Sequence, residues 1–266
     1  MATLGSGARS TCRTIMDSET TQHSEPSTPA ESSQRQDAGL SQPAHLVSKS
    51  VKRRARHEFD GWAKTYDRSI VQHLLFRPAY RMFMEELYEW RRHIPDSFDG
   101  LDIGSGTGSW LAMIAGSPLP SRRLVGLDYS GEMCRVAEQK ARTIDDAPSF
   151  INGDSEHLPF ADGSFDFVTC SHSFHHYPNQ AAAVREMRRV LRPGGRLMLI
   201  DGFRDNIIGW VLFDVFITRA ESTPEARVFH APWSMMRQYF VDSGFTQIRQ
   251  RKTGIWAPIF LTVGTA

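Results

Sequence analysis

Residues 101–108 read Leu-Asp-Ile-Gly-Ser-Gly-Thr-Gly. Three glycines at alternate positions close a short apolar run and open an amphipathic one. Such a loop belongs where a strand turns into a helix, because glycine lets the backbone turn tightly and approach a ligand closely. In an open parallel sheet that turn sits at the carboxyl end of a strand, where ligands bind at the topological switch point. A dinucleotide fingerprint, G-x-G-x-x-G, would place Gly or Ala at position 109. Here Ser109 stands there, and the third glycine comes one residue early, at Gly108. Asp102, two residues before the first glycine, offers the ligand a carboxylate.

The chain around this loop alternates between two periodicities. Strands are expected at Phe98–Ile103, Arg123–Asp128, Pro148–Asn152, Phe165–Ser171 and Leu197–Ile200. Between them Ser109–Ala115, Gly131–Ile144 and Gln180–Leu191 carry apolar residues at helical spacing. The last of these helices stops at Pro193-Gly194-Gly195, which cannot continue it. Strand–helix alternation predicts a parallel sheet covered on both faces. The end differs. A helix at Trp233–Ser243 is followed by two strands, Thr246–Lys252 and Ile259–Val263, with no room for a helix between them. They are therefore antiparallel. The expectation is an α/β fold with a doubly wound, mostly parallel sheet ending in an antiparallel hairpin.

Further residues fall in register with the loop. Asp128 ends the second strand 20 residues beyond Gly108, the spacing at which a carboxylate accepts ribose hydroxyls. Tyr129 and Met133 follow, suited to an adenine face. Asp154, just after the third strand, is placed to accept from an adenine amino group. Taken together, the stretches LDIGSGTG (101–108), LVGLDYSGEM (124–133), INGDSEHLPFADGSFDFV (151–168) and REMRRVLRPGGRL (185–197) resemble the class I S-adenosylmethionine-dependent methyltransferases. Residues 59–67, FDGWAKTYD, look like the N-terminal signature of the small-molecule branch related to the quinone-biosynthesis C-methyltransferases. The resemblance covers about residues 57–201 well. It implies a seven-stranded, Rossmann-like sheet and S-adenosyl-L-methionine as cofactor. It assigns Gly104, Ser105, Gly106 and Gly108 to the cofactor loop, Asp128 to the ribose, Asp154 with Ser155 to the adenine, and Ser171 or its neighbours to the methionine end. Tyr66 would close over the cofactor.

Methyl transfer from a sulfonium is an in-line displacement with a neutral leaving group. Positioning in a dry pocket then does most of the catalysis. A base is needed only where the nucleophile carries a proton at neutral pH. The stretch Ser171-His172-Ser173-Phe174-His175-His176-Tyr177-Pro178 follows the fourth strand, and His175 is the candidate base. Adjacent histidines alone make no metal site, and no Asp/Asn cluster supports a magnesium-dependent catechol-type enzyme; no metal is expected. The Asn/Asp-Pro-Pro-Tyr/Phe tetrapeptide of amino-directed enzymes is absent after this strand. Cys170 follows Thr169 rather than the proline of a cytosine-C5 nucleophile. Residues 203–231 are rich in apolar and aromatic side chains and are expected to cap a small apolar or aromatic acceptor. The rival readings are a nucleotide-cofactor oxidoreductase, which Ser109 disfavours, and an inactive methyltransferase-like binding protein.

Composition bounds the rest. Of 266 residues, 31 are Lys or Arg and 30 Asp or Glu, a formal charge of +1. This gives no global reason to expect nucleic acid as partner. The first fifty residues hold 10 Ser and 6 Thr and no aromatic residue. Residues 1–46 are expected to be a disordered tail, and 47–266 one catalytic domain with N-terminal helices (55–92), a cofactor core (98–201) and the cap. The basic cluster Lys49, Lys52, Arg53, Arg54, Arg56 is expected to be a solvated boundary. No window approaches a membrane span. Three scattered cysteines fit a reducing compartment, and the cytoplasm is the expected location. Arg9 and Arg13 in a Ser/Thr-rich stretch leave a transit peptide as the minor alternative. Oligomeric state is not legible.

Overall fold

The computed structural model describes residues 52, 53, 56, 60, 61, 63, 76–92, 97–202, 229–252 and 259–266. Seven strands form one sheet in the order β3-β2-β1-β4-β5-β7-β6. They are β1 (Phe98–Ile103), β2 (Ser121–Asp128), β3 (Ser149–Asn152), β4 (Phe165–Ser171), β5 (Leu191–Gly202), β6 (Thr246–Lys252) and β7 (Ile259–Thr265). β1 pairs in parallel with β2 and β4, and β4 in parallel with β5. β7 runs antiparallel to both β5 and β6, so the expected terminal hairpin is present and its second strand is the inner one. The chain moves outward from β1 to β3, then returns to start the other half at β4. The gap between β1 and β4 is the switch point, and the glycine loop lies in it.

Burial separates the two faces of the sheet. α1 (Arg77–Arg91), α2 (Ser109–Ala115) and α3 (Gly131–Ala141) cover one face, with Phe83, Trp90, Trp110 and Phe167 in its core. α4 (Gln180–Val190) and α5 (Trp233–Asp242) cover the other, with Val168, Met187, Phe240 and Phe260 buried there. β1 is buried along its whole length, as a central strand with helices on both faces must be. Helix starts follow local chemistry. Ser130 caps α3 by accepting from the Met133 amide at 3.1 Å, and Asn179 caps α4 from Ala182 at 3.0 Å.

One boundary departs from the expectation. α4 ends at Val190 and the extended chain begins at Leu191, so Pro193-Gly194-Gly195 lies inside β5. The reason is long-range. Gly194 adopts φ +79° and donates to the carbonyl of Ala266 at 2.9 Å, while Ala266 donates to Gly195 O at 2.8 Å. Leu191 pairs with Phe165 of β4, the register shifts before the next pair, Phe167 with Arg196, and Ala266 closes the intervening turn. Among the described residues, no helix is long and apolar enough to cross a membrane.

Candidate active site

The carboxyl ends of β1, β2, β3 and β4 open into one cleft, at the switch point where open α/β sheets bind ligands. Its lining includes Asp102, Gly104, Ser105, Gly106, Asp128, Tyr129, Met133, Asp154, Ser155 and Ser171. Ten sequence-derived candidates therefore converge on one space.

The loop is held by backbone geometry that L side chains avoid. Gly104 sits at φ +69°, and a Cβ there would lie 2.2 Å from Ser173 Oγ. Gly108 also needs positive φ, as the residue before α2, but it does not line the cleft. Its place is structural: a Cβ would meet the Phe150 ring at 2.5 Å. Gly104 N–H and Ser105 N–H both donate to Leu127 O, at 2.8 and 3.1 Å, which ties the loop to β2.

Three carboxylates ring this loop, each fixed differently. Asp128 accepts from Gly106 N–H at one oxygen and from Ser130 N–H at the other, both at 2.8 Å. Burial pushes its carboxyl up to about 6, against the pull of these amides. Asp102 accepts from Thr169 Oγ1 at 2.7 Å, and Thr169 in turn accepts from Trp110 Nε1 at 3.1 Å. Burial raises its carboxyl to about 7, only partly offset by Thr169, with the Asp128 charge adding to the rise. Asp154 lies at the cleft mouth, where Lys52 Nζ approaches it at 2.7 Å and Glu156 at 2.9 Å.

That last pairing corrects one expectation. Lys52 belongs to the basic cluster taken as a solvated boundary, yet its side chain is 12% exposed and lines the cleft with Arg56. Two carboxylates more than a hundred residues away neutralise its ammonium, which no local pattern reveals. Asp60 reaches the same region and accepts from Ser130 Oγ. Tyr66 lies outside the described residues. So do the proposed tail, 1–46, and residues 203–228 of the proposed cap.

The histidine stretch is divided by the 3-10 turn Phe174–His176. His172 and His176 line the cleft and His175 does not. His175 Nδ1 instead lies 2.6 Å from Asp201 Oδ1. His172 adopts φ +51° and packs its ring 4.7 Å from that of Phe76. Burial, with His175 beside it, holds the His176 imidazole well below its usual range. Phe76 and Tyr80 of the N-terminal region complete this wall together with Tyr177, whose hydroxyl is 2.9 Å from Ser173 Oγ. Cys170 is buried and its thiol is pushed up to about 12 by burial, so it is no nucleophile.

The cleft suits an adenosyl-sulfonium cofactor on its own polar atoms. Ser105 Oγ and Ser171 Oγ are buried with no hydrogen-bond partner among the described residues, and both line the cleft. Unmet buried hydroxyls lining one cleft are costly unless a ligand meets them. A family model for a methyltransferase domain matches residues 101–199. The demethylmenaquinone methyltransferase of Listeria welshimeri is 33% identical over 170 residues, covering 56% of this chain and 70% of that protein.

The chain belongs to the class I S-adenosylmethionine-dependent methyltransferases. It lies on the branch that includes the demethylmenaquinone enzymes. The chain spans about half the length of the Listeria monocytogenes relative, at 40% identity over 111 residues, 41% of this chain and 47% of that one. Magnesium protoporphyrin IX methyltransferase from Synechocystis, solved with bound SAH, shares the fold at a TM-score of 0.63 and 19% identity, over 81% of this chain and 99% of that one. The doubly wound seven-stranded architecture and the cofactor, S-adenosyl-L-methionine, follow. The oxidoreductase reading is set aside.

Proposed function

We propose that this methyltransferase moves the methyl group onto a small aromatic acceptor held between the glycine loop and the histidine wall. Support comes from the wall itself. Phe76, Tyr80, His172 and Tyr177 line the cleft together with Ser171 and Ser173, and aromatic rings pack against such side chains with specific geometry. The Listeria welshimeri relative is named for methylation of demethylmenaquinone, a small molecule. The near-neutral net charge fits a small uncharged acceptor better than a polyanion.

When bound, S-adenosylmethionine supplies an electrophilic methyl group on a sulfonium whose departure leaves a neutral thioether. Asp128 would accept from the ribose hydroxyls, its two backbone donors fixing both oxygens in place. Tyr129 and Met133 would flank the adenine, with Asp154 and Ser155 at its polar edge. Gly104, Ser105 and Gly106 would let the backbone approach the ligand. Asp102, oriented by Thr169, and Ser171 would hold the methionine end. The aromatic wall aligns the acceptor and excludes water. Where the acceptor carries a proton, His172 is the imidazole placed to take it. His175 is turned to Asp201, and His176 is too weak a base. Residues 47–266 form the catalytic unit in this reading, preceded by a polar tail. We place it in the cytoplasm, since three scattered cysteines, Cys12, Cys134 and Cys170, suit a reducing compartment.

Calorimetry with S-adenosylhomocysteine, followed by incubation with labelled S-adenosylmethionine and a panel of hydroxylated aromatic rings, tests the proposal. Tight binding of S-adenosylhomocysteine and label in an extractable ring compound are expected. Label found only in protein or nucleic acid would overturn the acceptor class.

A further inference from the structure

Behind the wall of the cleft, three histidines crowd one carboxylate. Asp201, near the end of β5, has a side chain 1% exposed. His175 Nδ1 lies 2.6 Å from its Oδ1, and His230 Nδ1 lies 3.7 Å from the same atom. The rings of His175 and His230 stack with centroids 4.3 Å apart, and His176 approaches His175 at 4.2 Å. The second carboxylate oxygen, Asp201 Oδ2, is buried with no hydrogen-bond partner among the described residues.

Hydrogen bonds leave part of this arrangement unmet, because His175 and the Gly202 amide, at 2.7 Å, both use Oδ1. One carboxylate neutralises one imidazolium. Two imidazoliums stacked at this distance repel each other, most strongly where water is excluded. A fully buried carboxylate with one oxygen unmet is also expensive. A compact divalent cation resolves both conflicts, because it takes lone pairs from neutral imidazoles and a carboxylate together. The donor atoms of His175, Asp201 and His230 all lie within 4.8 Å of one another. Tetrahedral zinc bonds of about 2.0–2.2 Å place neighbouring ligand atoms about 3.3 Å apart. The observed 2.6 and 3.7 Å fall on either side of that separation.

We propose that His175, Asp201 and His230 form a site for a first-row divalent transition ion of the zinc class, with one position left for water. Two nitrogens and one carboxylate oxygen match the ligand preference of these ions and not that of calcium or magnesium. The backbone around the site is already ordered. Phe229 N–H donates to His175 O at 3.1 Å, and Gln180 Nε2 donates to Phe229 O at 2.8 Å. Asp201 and His230 are joined in sequence through residues 203–228, so the ion ties both ends of that stretch to the connection between β4 and α4. No single stretch of sequence contains more than one of these ligands, so the site escapes any motif search. It lies off the cleft lining, and the proposal does not rest on the methyltransferase reading.

The test is a titration of the full chain, free of any affinity tag and stripped of metal, with Co²⁺ followed by its visible d–d absorption. One Co²⁺ per chain is expected, displaced by Zn²⁺. His175→Gln and His230→Gln should each weaken binding by at least about 100-fold, beyond the effect typical of an outer-shell partner. His157→Gln, an exposed histidine outside the cluster, should bind as the unmodified chain does. Zn²⁺ should raise the thermal midpoint of the unmodified chain and not of His230→Gln. No binding below millimolar Co²⁺ by the unmodified chain overturns the site, however the variants fold. So does retention of Co²⁺ affinity in His230→Gln.

Discussion

Two aspartates three residues apart on β1 show how differently the two ends of the sheet are built. Asp99, near the amino end, is met by Arg122 Nη2 at 2.6 Å and Arg192 Nη2 at 2.8 Å. Burial would raise its carboxyl, yet the arginines hold it below the usual value. Asp102, near the carboxyl end, faces no cation among the described ion pairs, and burial raises it to about 7. The same residue type on the same strand is neutralised at one end and left unneutralised at the other. The glycine loop, with Gly104, Gly106 and Gly108 at positive φ, and the unmet Ser105 and Ser171 hydroxyls lie at that same carboxyl end. The amino end is arranged for stability. The carboxyl end holds unmet polar groups that a ligand can satisfy.

The strongest way to break this contrast is Asp128→Ala. Two charge-assisted hydrogen bonds to the ribose would be lost, about 2–4 kcal/mol in all, or roughly 30- to 1,000-fold in cofactor affinity by calorimetry. The Gly106 and Ser130 amides also lose their acceptor, so a modest fall in thermal midpoint accompanies it. Asp128→Asn should keep most of the stability and still lose most of the affinity. Unchanged affinity in both variants would remove Asp128 from the site. Next in size is Gly104→Ala. Left-handed backbone costs an alanine about 1–2 kcal/mol, and the added Cβ displaces Ser173. Binding should fall by about tenfold or more while far-UV circular dichroism stays unchanged.

The ends of the sheet also differ in legibility. The glycine loop, Asp128 and Asp154 were readable because each lies within a few residues of the strand that places it, and strand–helix periodicity locates those strands. What sequence could not show was assembled from afar. Lys52 enters the cleft only because Asp154 and Glu156 meet it across more than a hundred residues. His175 was a reasonable base by position, but a 3-10 turn rotates it toward Asp201 and leaves His172 and His176 facing the cleft. Asp201 and His230 gave no signal at all. The extension of β5 through Pro193-Gly194-Gly195 was hidden for the same reason, since it depends on Phe165 and Ala266. Burial patterns carry local information, whereas pairing between distant charges does not.

A smaller effect sharpens the contrast through pH. A carboxyl raised by burial favours folding while protonated, so its contribution is present below its unfolded value and is lost as pH rises through about 7 for Asp102 and about 6 for Asp128. Asp102→Asn should therefore raise stability at pH 8 by about 1–2 kcal/mol, measured by urea melts, with the gain shrinking toward zero as pH falls below the unfolded carboxylate value. A destabilised variant at pH 8 would show that Asp102 is not held against its charge. Ligand binding has the opposite sign. Asp128 accepts from two hydroxyls most strongly when ionised, because protonation turns one of its oxygens into a donor, so cofactor affinity should be flat above pH 7 and fall below pH 6. That slope should disappear in Asp128→Asn.

The amino end supplies the weakest and most discriminating case. Asp99 is depressed by its arginines, so its stabilisation is present above the unfolded carboxylate value and is lost as pH falls through its lower folded value. Asp99→Asn should cost only about 1 kcal/mol near pH 7, because the arginine side chains it leaves are partly exposed and find water. The loss should shrink toward zero in acid, where the native carboxyl is itself protonated. Cofactor affinity should not move, since Asp99 sits at the opposite end of β1 from the glycine loop. Asp166, in β4, meets the same Arg192 at 2.6 Å, and a calorimetric change of more than about threefold in both Asp99→Asn and Asp166→Asn would mean that the two ends of the sheet are coupled and that the division of labour between them is wrong.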